Sequence, residues 1–229
     1  MDIKNLTYLL LLLVYLVIPA LLSMQKKVRF VIRLKYILPA SIFTGAIFVM
    51  WDMRFTELGI WSFNVNYLTE INMFKVPIEE WLSFLIIPLS SVYIYEWLKT
   101  RFDKFEQPNI FVAVSLVIFV ISAILAYIFR KNMFTFFTFF LISIYLGYTI
   151  FRNRFKKHYT KFYLAFGISL MPFIIVSATL NALPVIIYNT DHVMGAAILG
   201  IPAEKFAYLF MLLLINITIY EYLNERQHY

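Results

Sequence analysis

Apolar residues along the chain form seven long runs, and short polar segments separate them. Each run has about the 20 residues that a helix needs to cross a bilayer, which predicts seven membrane-spanning helices. The predicted helices cover residues 6–24, 36–51, 79–98, 110–129, 134–151, 162–183 and 203–223. The first run has neither a basic segment before it nor a small-residue cleavage site, so we interpret it as a retained helix rather than a signal peptide.

The pattern repeats when the chain is shifted by 125 residues, because "VPIEEW" then aligns with "IPAEKF" and "YIYEWL" with "TIYEYL". Helices 1–3 and 5–7 are therefore predicted repeats, and helix 4 connects them. Four spans separate equivalent helices, so both copies are expected to cross the membrane in the same direction, with a site at their interface. We predict an all-α integral membrane protein with two parallel three-helix repeats, at residues 1–105 and 133–229, and a connecting helix within 106–132.

Composition supports a membrane protein, because 62% of the residues are hydrophobic and only 14% are charged. The net charge is +7, and 14 of the 20 Lys and Arg residues fall on one side of the predicted spans. The positive-inside rule makes that side cytoplasmic. The sequence thus predicts a multi-pass protein of the cell membrane with an extracytoplasmic N-terminus and a cytoplasmic C-terminus. Nucleic-acid binding is not expected, since the basic residues lie between apolar runs.

Several kinds of chemistry lack their usual residues. The chain has no cysteine, and its three histidines, His158, His192 and His228, form no close ligand pair, so no metal site is predicted. Neither a GxGxxG nor a P-loop motif occurs, and no aspartate-rich run is present. We therefore expect no metal and no nucleotide or flavin cofactor. The chemistry that the sequence still allows is acid–base catalysis by carboxylates in an apolar cavity.

The acidic motifs begin the third and seventh predicted helices. Proline followed by glutamate is common at a helix start, where a carboxylate complements the helix dipole, so a capping role is one interpretation. Recurrence in both repeats favours a functional role. Neighbouring helical residues project about 100° apart, so only one of Glu79 and Glu80 can face a cavity. We predict that the repeated pair, Glu79 and Glu204, faces a shared cavity between helices 3 and 7. For Glu96 and Glu221, interfacial solvation or ion pairing is the better interpretation.

Long aromatic segments precede both motifs, at residues 51–75 and 180–200. Segments of this length are commonly functional lids, and their aromatic content argues against disorder. A re-entrant or interfacial lid and aromatic belting at the membrane surface both remain open. The polar residues expected to order the lid or the acidic site are Asp52, Asn64, Asn66, Asn181, Asn189 and Asp191.

These motifs, "PIEE" and "PAEK" with "WDMRF…GIWSFN" and "NALPVIIYN" ahead of them, resemble the flavin-independent lycopene cyclases of bacteria, archaea and fungi. The likeness is to the fused form and covers nearly the whole chain. It implies a lipophilic linear carotenoid as substrate, no cofactor, and ring formation through a carbocation, with Glu79, Glu80 and Glu204 as catalytic residues. Residues beside the motifs and in the lids are expected to bind substrate: Trp51, Trp61, Phe74, Trp81, Asn181, Tyr188 and Phe206.

Lys205 departs from the family pattern, in which the second motif usually ends in an acidic residue. We therefore expect one asymmetric site, in which Glu79 and Glu80 transfer protons and Glu204 stabilises charge. The long Lys205 side chain is expected to reach the extracytoplasmic interface instead of the site. The alternative to a cyclase is a non-enzymatic protein, either a membrane transporter or a carotenoid-binding scaffold that uses the intramembrane glutamates.

Overall fold

Seven helices form the body of the protein in a computed structural model, which describes residues 3–23 and 30–226. They are α1 (Thr7–Ser23), α2 (Phe30–Glu57), α3 (Ile78–Arg101), α4 (Pro108–Ile128), α5 (Met133–Phe151), α6 (Tyr159–Ala182) and α7 (Ala203–Glu225). All seven are long and apolar enough to cross a membrane, so the predicted helices are confirmed. The predicted end of the first helix, Met24, and the basic residues Lys26, Lys27 and Arg29 lie outside the described residues.

Helix α2 is the longest, with 28 residues, and it extends beyond the predicted range at both ends. The prediction stopped at the first charged residue on each side, Lys35 and Asp52. Charged side chains interrupt an apolar pattern, but they do not interrupt a helix whose ends reach the membrane surface. The hydrophobic run therefore ends at the first charged residue, while the helix continues to Glu57.

Six short strands form three antiparallel pairs at one end of the bundle, which we call the strand end. They are β1 (Trp61–Phe63), β2 (Asn72–Met73), β3 (Val76–Pro77), β4 (Ile186–Tyr188), β5 (Ala197–Ile198) and β6 (Ile201–Pro202). Strands β2 and β3 form one hairpin, β5 and β6 form another, and β1 pairs with β4. The segments predicted as lids therefore contain short strands, and these are an exception to the predicted all-α fold.

The pairing of β1 with β4 relates the two repeats by a local two-fold axis. Ser62 pairs with Ile187, and Ile187 is the residue that corresponds to Ser62 in the second repeat, 125 residues later. The flanking hydrogen bonds obey the same symmetry, because the Asn64 N–H donates to the Val185 carbonyl and the Asn189 N–H to the Ile60 carbonyl, both at 2.9 Å. The internal repeat is thus present in the backbone contacts as well as in the sequence.

The helices of the two repeats are interleaved. Helix α2 packs on α7 of the other repeat, and the equivalent α6 packs on α3. Within the first repeat α2 lies close to α3, because Gly45 carries no side chain: a Cβ there would be 2.7 Å from the carbonyl oxygen of Phe84. In the second repeat α6 makes few contacts with α7. The repeats therefore differ in how far their second and third helices are separated.

Candidate active site

A cavity of about 60 Å³ lies at the strand end, between α1, α3, α6 and α7. Its wall is largely apolar, with Leu12, Phe84 and Phe173 among the lining side chains. A small set of polar side chains interrupts this apolar wall. They are Tyr8, Tyr15, Glu80, Ser83, Ser177, Asn181, Tyr188, Lys205 and Tyr208.

Glu80 supplies the carboxyl group of the cavity wall. It lies in the first turn of α3, and only 4% of its surface is exposed. The Tyr8 hydroxyl donates to Glu80 Oε1 at 2.9 Å. The Ser83 hydroxyl lies 3.3 Å from Glu80 Oε2 and donates to the Glu80 backbone carbonyl at 2.8 Å. These contacts fix the carboxyl group in one orientation, and they join α1 to the start of α3.

Lys205 lines the same cavity, so the prediction that it reaches the extracytoplasmic interface is wrong. Its ammonium nitrogen lies 5.2 Å from the ring centroid of Trp61, 5.6 Å from that of Tyr188 and 5.8 Å from that of Tyr208. Its charge also interacts with the carboxyl groups of Glu80 and Asp52. Aromatic faces and nearby carboxyl groups stabilise a desolvated cation, which explains why the ammonium points inward.

Glu79 and Glu204 do not line the cavity, so the prediction that this pair faces it is wrong. Both are fully buried, and each binds the lid segment ahead of its own helix. The Thr69 N–H donates to Glu79 Oε1 at 2.7 Å, and the equivalent Met194 N–H donates to Glu204 Oε1 at 2.6 Å. Because adjacent helical residues diverge by about 100°, the inward direction belongs to Glu80 and Lys205. The two carboxylates that recur in both repeats are therefore the ones that bind the segments ahead of α3 and α7.

Two residues of this region were not predicted as catalytic or substrate-binding. Asp52 was expected to order the lid or the acidic site; it is 1% exposed and interacts electrostatically with Glu80 and Lys205. Its position in the first repeat corresponds to Ser177, which lines the cavity. Tyr8 lies in the apolar run of α1. The only sequence signal for it is the seven-residue spacing to Tyr15, which places both tyrosines on one helical face.

Some of the predicted substrate-binding residues do meet at the cavity. Asn181 and Tyr188 line it, and Trp61 lies against the Lys205 ammonium. The Asn181 amide donates to the Gly200 carbonyl at 3.0 Å, which joins the end of α6 to the β5–β6 turn. Burial raises the pKa of the Tyr188 phenol, so this group stays protonated near neutral pH.

Other predicted substrate-binding residues lie elsewhere. Trp51 packs in an aromatic cluster, 5.7 Å from the ring of Tyr208. Phe206 packs against Phe173 at 5.2 Å, behind the cavity wall. Phe74 is 68% exposed in the β2–β3 turn, and its ring lies 6.4 Å from that of Trp81. Neither Phe74 nor Trp81 lines the cavity, so the structure does not bring these two residues to the candidate site.

The two-fold-related region of the bundle is filled by aromatic rings. Phe48, Trp51 and Phe55 occupy the positions that Phe173, Val176 and Leu180 occupy beside the cavity. Trp51 and Phe55 are larger than Val176 and Leu180, and the three rings pack on one another, on Phe134 and on Tyr208. The ring centroids of Phe48 and Tyr208, for example, are 4.9 Å apart. The bundle thus has one open half-site, the cavity beside α6, and one filled half-site, the aromatic cluster beside α2.

Ion pairs occupy the opposite end of the bundle. Arg33 pairs with Glu96, and Lys99 Nζ lies 2.6 Å from Glu221 and 3.3 Å from Glu96. The Tyr220 hydroxyl also donates to Glu96 at 2.8 Å. The predicted ion pairing of both glutamates is confirmed, although the two side chains are buried rather than exposed at an interface.

One group of possible metal ligands occurs in the described part of the chain. His158, Glu221 and Glu225 place their ligand atoms within 4.8 Å of one another. Lys99 pairs with Glu221 at 2.6 Å, and Lys157 pairs with Glu225 at 2.7 Å, so ammonium groups already balance both carboxylates. Seventeen residues of α7 separate Glu204 from Glu221, a rise of about 25 Å. This group is therefore remote from the cavity.

Comparison with known protein families gives a match to the lycopene cyclase family model over residues 5–98 and 131–223. Comparisons with curated proteins and with solved structures give no significant match. The two matched segments correspond to the two repeats, and together they cover most of the chain. Each contains one acidic motif at the start of its third helix. The chain belongs to the lycopene cyclase family.

Proposed function

We propose that the protein cyclises lycopene, converting its linear ψ-end groups to β-rings by proton transfer without a change of oxidation state. The observation that carries this proposal is the position of Glu80, a buried carboxyl group that Tyr8 holds on the wall of an apolar cavity. An apolar wall suits a hydrocarbon end group, and an oriented carboxylic acid is the group that protonation of an alkene requires.

The reaction begins when the Glu80 carboxyl group gives its proton to the terminal carbon–carbon double bond. The π electrons of that bond form the new C–H bond and leave a tertiary carbocation. The neighbouring double bond attacks the cation, which closes the six-membered ring and moves the positive charge onto the ring. A ring C–H bond then loses its proton to the Glu80 carboxylate and becomes the ring double bond. One proton enters and one leaves, so the product is an isomer.

The surroundings of Glu80 suit both proton transfers. Tyr8 and Ser83 hold the carboxyl group on the wall, so that it does not have to reorient between giving and accepting the proton. Apolar side chains exclude water, which strengthens the interaction between the carboxylate and the carbocation. In this proposal Glu79 and Glu204 position the lids, and they do not contact the substrate.

The cavity must widen when substrate binds. Its volume of about 60 Å³ is smaller than the roughly 150 Å³ that holds a benzene ring in a protein core. Helix α6 makes few contacts with α7, and α1 forms the adjacent wall. We propose that an end group enters as α6 moves away from α7, while the polyene chain remains along the helices.

We also propose that the strand end faces the extracytoplasmic side, because most of the basic residues belong to the opposite side. The chain has no cysteine, so single cysteines can report the orientation without background labelling. A cysteine at the exposed Glu70 should react with a membrane-impermeant thiol reagent in intact cells. A cysteine at Asp103 should react only after the cells are opened.

The function is tested by expression in cells that accumulate red lycopene. Cyclisation should turn the cells orange-yellow, and chromatography should show ring-containing carotenoids. A Glu80→Gln variant that accumulates to the same level should leave the cells red. If wild-type protein is present in the membrane and lycopene is only bound or moved, the pigment will be unchanged, and the cyclase proposal fails.

A further inference from the structure

Lys205 occupies the position in α7 that Glu80 occupies in α3, and both residues line the open half-site. Among the described residues, no direct ion pair joins the Lys205 ammonium to Glu80 or to Asp52. The ammonium and the Glu80 carboxyl group are therefore separate groups on the wall of one cavity. This wall is not symmetric, although the pairing of β1 with β4 beside it is.

We propose that Lys205 makes the site one-sided: it confines the carbocation to the Glu80 wall, so that one end group reacts in each binding event. This inference rests on the cyclase function proposed above. A fixed ammonium repels a developing positive charge, and the repulsion is strong where water is excluded. The aromatic rings near the ammonium, those of Trp61, Tyr188 and Tyr208, already interact with it. These rings therefore do not provide a second site that stabilises the carbocation.

The filled half-site supports the same inference by a separate observation. Phe48, Trp51 and Phe55 occupy the space that would receive a second end group beside α2. The far end of a long linear carotenoid extends toward the opposite end of the bundle, where Glu96 and Glu221 are ion-paired. The cavity of about 350 Å³ at that end is lined by Glu221 and Glu225, but the ammonium groups of Lys99 and Lys157 already balance both carboxylates. A second ring therefore requires the singly cyclised carotenoid to leave and to bind again in the reverse direction.

Lys205 also acts on the proton donor through charge. The titratable groups that face it or its carboxyl partners come from five elements of the fold. They are Tyr8 and Tyr15 of α1, Asp52 of α2, Glu80 of α3, Tyr188 of β4 and Tyr208 of α7. The ammonium interacts with both carboxyl groups, and such interactions are strong where water is excluded. Lys205 is thus a positioning residue for charge, and its removal should move the pH–rate profile as well as the rate.

The first test uses wild-type protein and an isotope-trapping experiment. Purified protein receives deuterium-labelled lycopene together with a large excess of unlabelled, singly cyclised carotenoid. We expect the label to accumulate in the singly cyclised carotenoid and to reach any doubly cyclised product only after dilution by the unlabelled pool. Undiluted label in doubly cyclised product would overturn the inference. Wild-type protein that forms no ring at all would instead overturn the cyclase function, which is a distinguishable result.

The second test compares Lys205→Met with Lys205→Arg. Methionine has a similar length without the charge, and we expect ring formation to become faster because the repulsion of the carbocation is lost with the charge. The alkaline limb of the pH–rate profile should also move, because the ammonium that interacts with both carboxyl groups is absent. Arginine should restore the wild-type profile. A Lys205→Met variant with the wild-type rate and profile would refute the role, and if that variant does not fold, the trapping result decides.

Discussion

Glu80 and Lys205 are equivalent residues of the two repeats, and they place a carboxyl group and an ammonium group on the wall of the same cavity. Duplication alone would place two like side chains at these positions. The β1–β4 pairing keeps its two-fold symmetry, whereas the exchange of a carboxyl group for an ammonium group makes the chemistry of the cavity asymmetric. The site is thus built from both repeats, but its acid comes from the first repeat only.

The carboxyl group of Glu80 should be needed for proton transfer. Replacing Glu80 by glutamine keeps the shape of the side chain and removes its proton, so we expect the initial rate of ring formation to fall by about 10²–10⁴. Rates are measured by chromatography of the products that purified protein forms from lycopene in detergent.

Glu79→Gln is the matched control, because Glu79 is adjacent, buried and bound to a lid rather than to the cavity. A glutamine carbonyl can still accept the Thr69 N–H, so this variant should keep most of its activity. Equal, severe losses in both variants would contradict the assignment of Glu80 as the proton donor.

The Tyr8 hydroxyl should assist Glu80 without being essential. Tyr8→Phe removes one hydrogen bond to the carboxyl group, and such bonds contribute about 1.5–3 kcal/mol when one partner is charged. The expected rate loss is roughly tenfold to a hundredfold, which is smaller than that of Glu80→Gln. Tyr15→Phe, which changes the same residue type two turns further along α1 on the same cavity, should have little effect.

Ring formation should proceed without added cofactors. The proposed reaction transfers no electrons, and its only proton donor is a side chain of the protein. Purified protein that has been dialysed against a chelator should therefore cyclise lycopene at the same rate with or without added flavin, nicotinamide or divalent metal. A strict requirement for any one of these would contradict the proposed mechanism.

The ion pairs at the opposite end of the bundle should contribute to stability. Glu96 is fully buried and contacts Arg33, Lys99 and Tyr220, so Glu96→Gln leaves two partly exposed cations without this counter-ion. Removal of one partner of a fully buried pair typically costs about 3–5 kcal/mol, and the cost should be smaller here because 36% of the Arg33 and 30% of the Lys99 side-chain surface is exposed. We expect a clearly lower thermal unfolding temperature in detergent.

The control for this stability measurement is Glu57→Gln. Its pair with Arg54 is exposed, with 44% and 67% of the two side-chain surfaces accessible. Exposed pairs contribute at most about 1 kcal/mol, so its unfolding temperature should change little. A similar decrease in both variants would show that burial of the Glu96 pair has no special effect.

The helices could be predicted from the sequence because apolar length is a local property. The strands could not, since Ser62 pairs with Ile187, far away in the chain, and only three residues of each strand take part. Short pairings of this kind depend on how the repeats meet. The internal repeat did predict the equivalence of these segments, but it could not predict that they bond to each other.

The candidate site was predicted in part. The motif "PIEE" led to Glu80, but repetition favoured Glu79 and Glu204, which have the same structural task in both halves. Residues with a shared structural role recur after duplication, whereas a residue of an asymmetric site need not. Lys205 was expected outside the cavity because charge is costly in lipid, and the aromatic rings that stabilise it inside come from three separate segments.

The interleaving of the repeats has a consequence for how the protein is made. The open half-site draws its walls from α1 and α3, which the ribosome completes early, and from α6, β4 and α7, which it completes last. A nascent chain that has inserted only its first repeat therefore has Glu80 but no cavity around it. A chain truncated before α7 should be inactive however well its first helices enter the bilayer, because the cavity wall is complete only after α7 has left the ribosome.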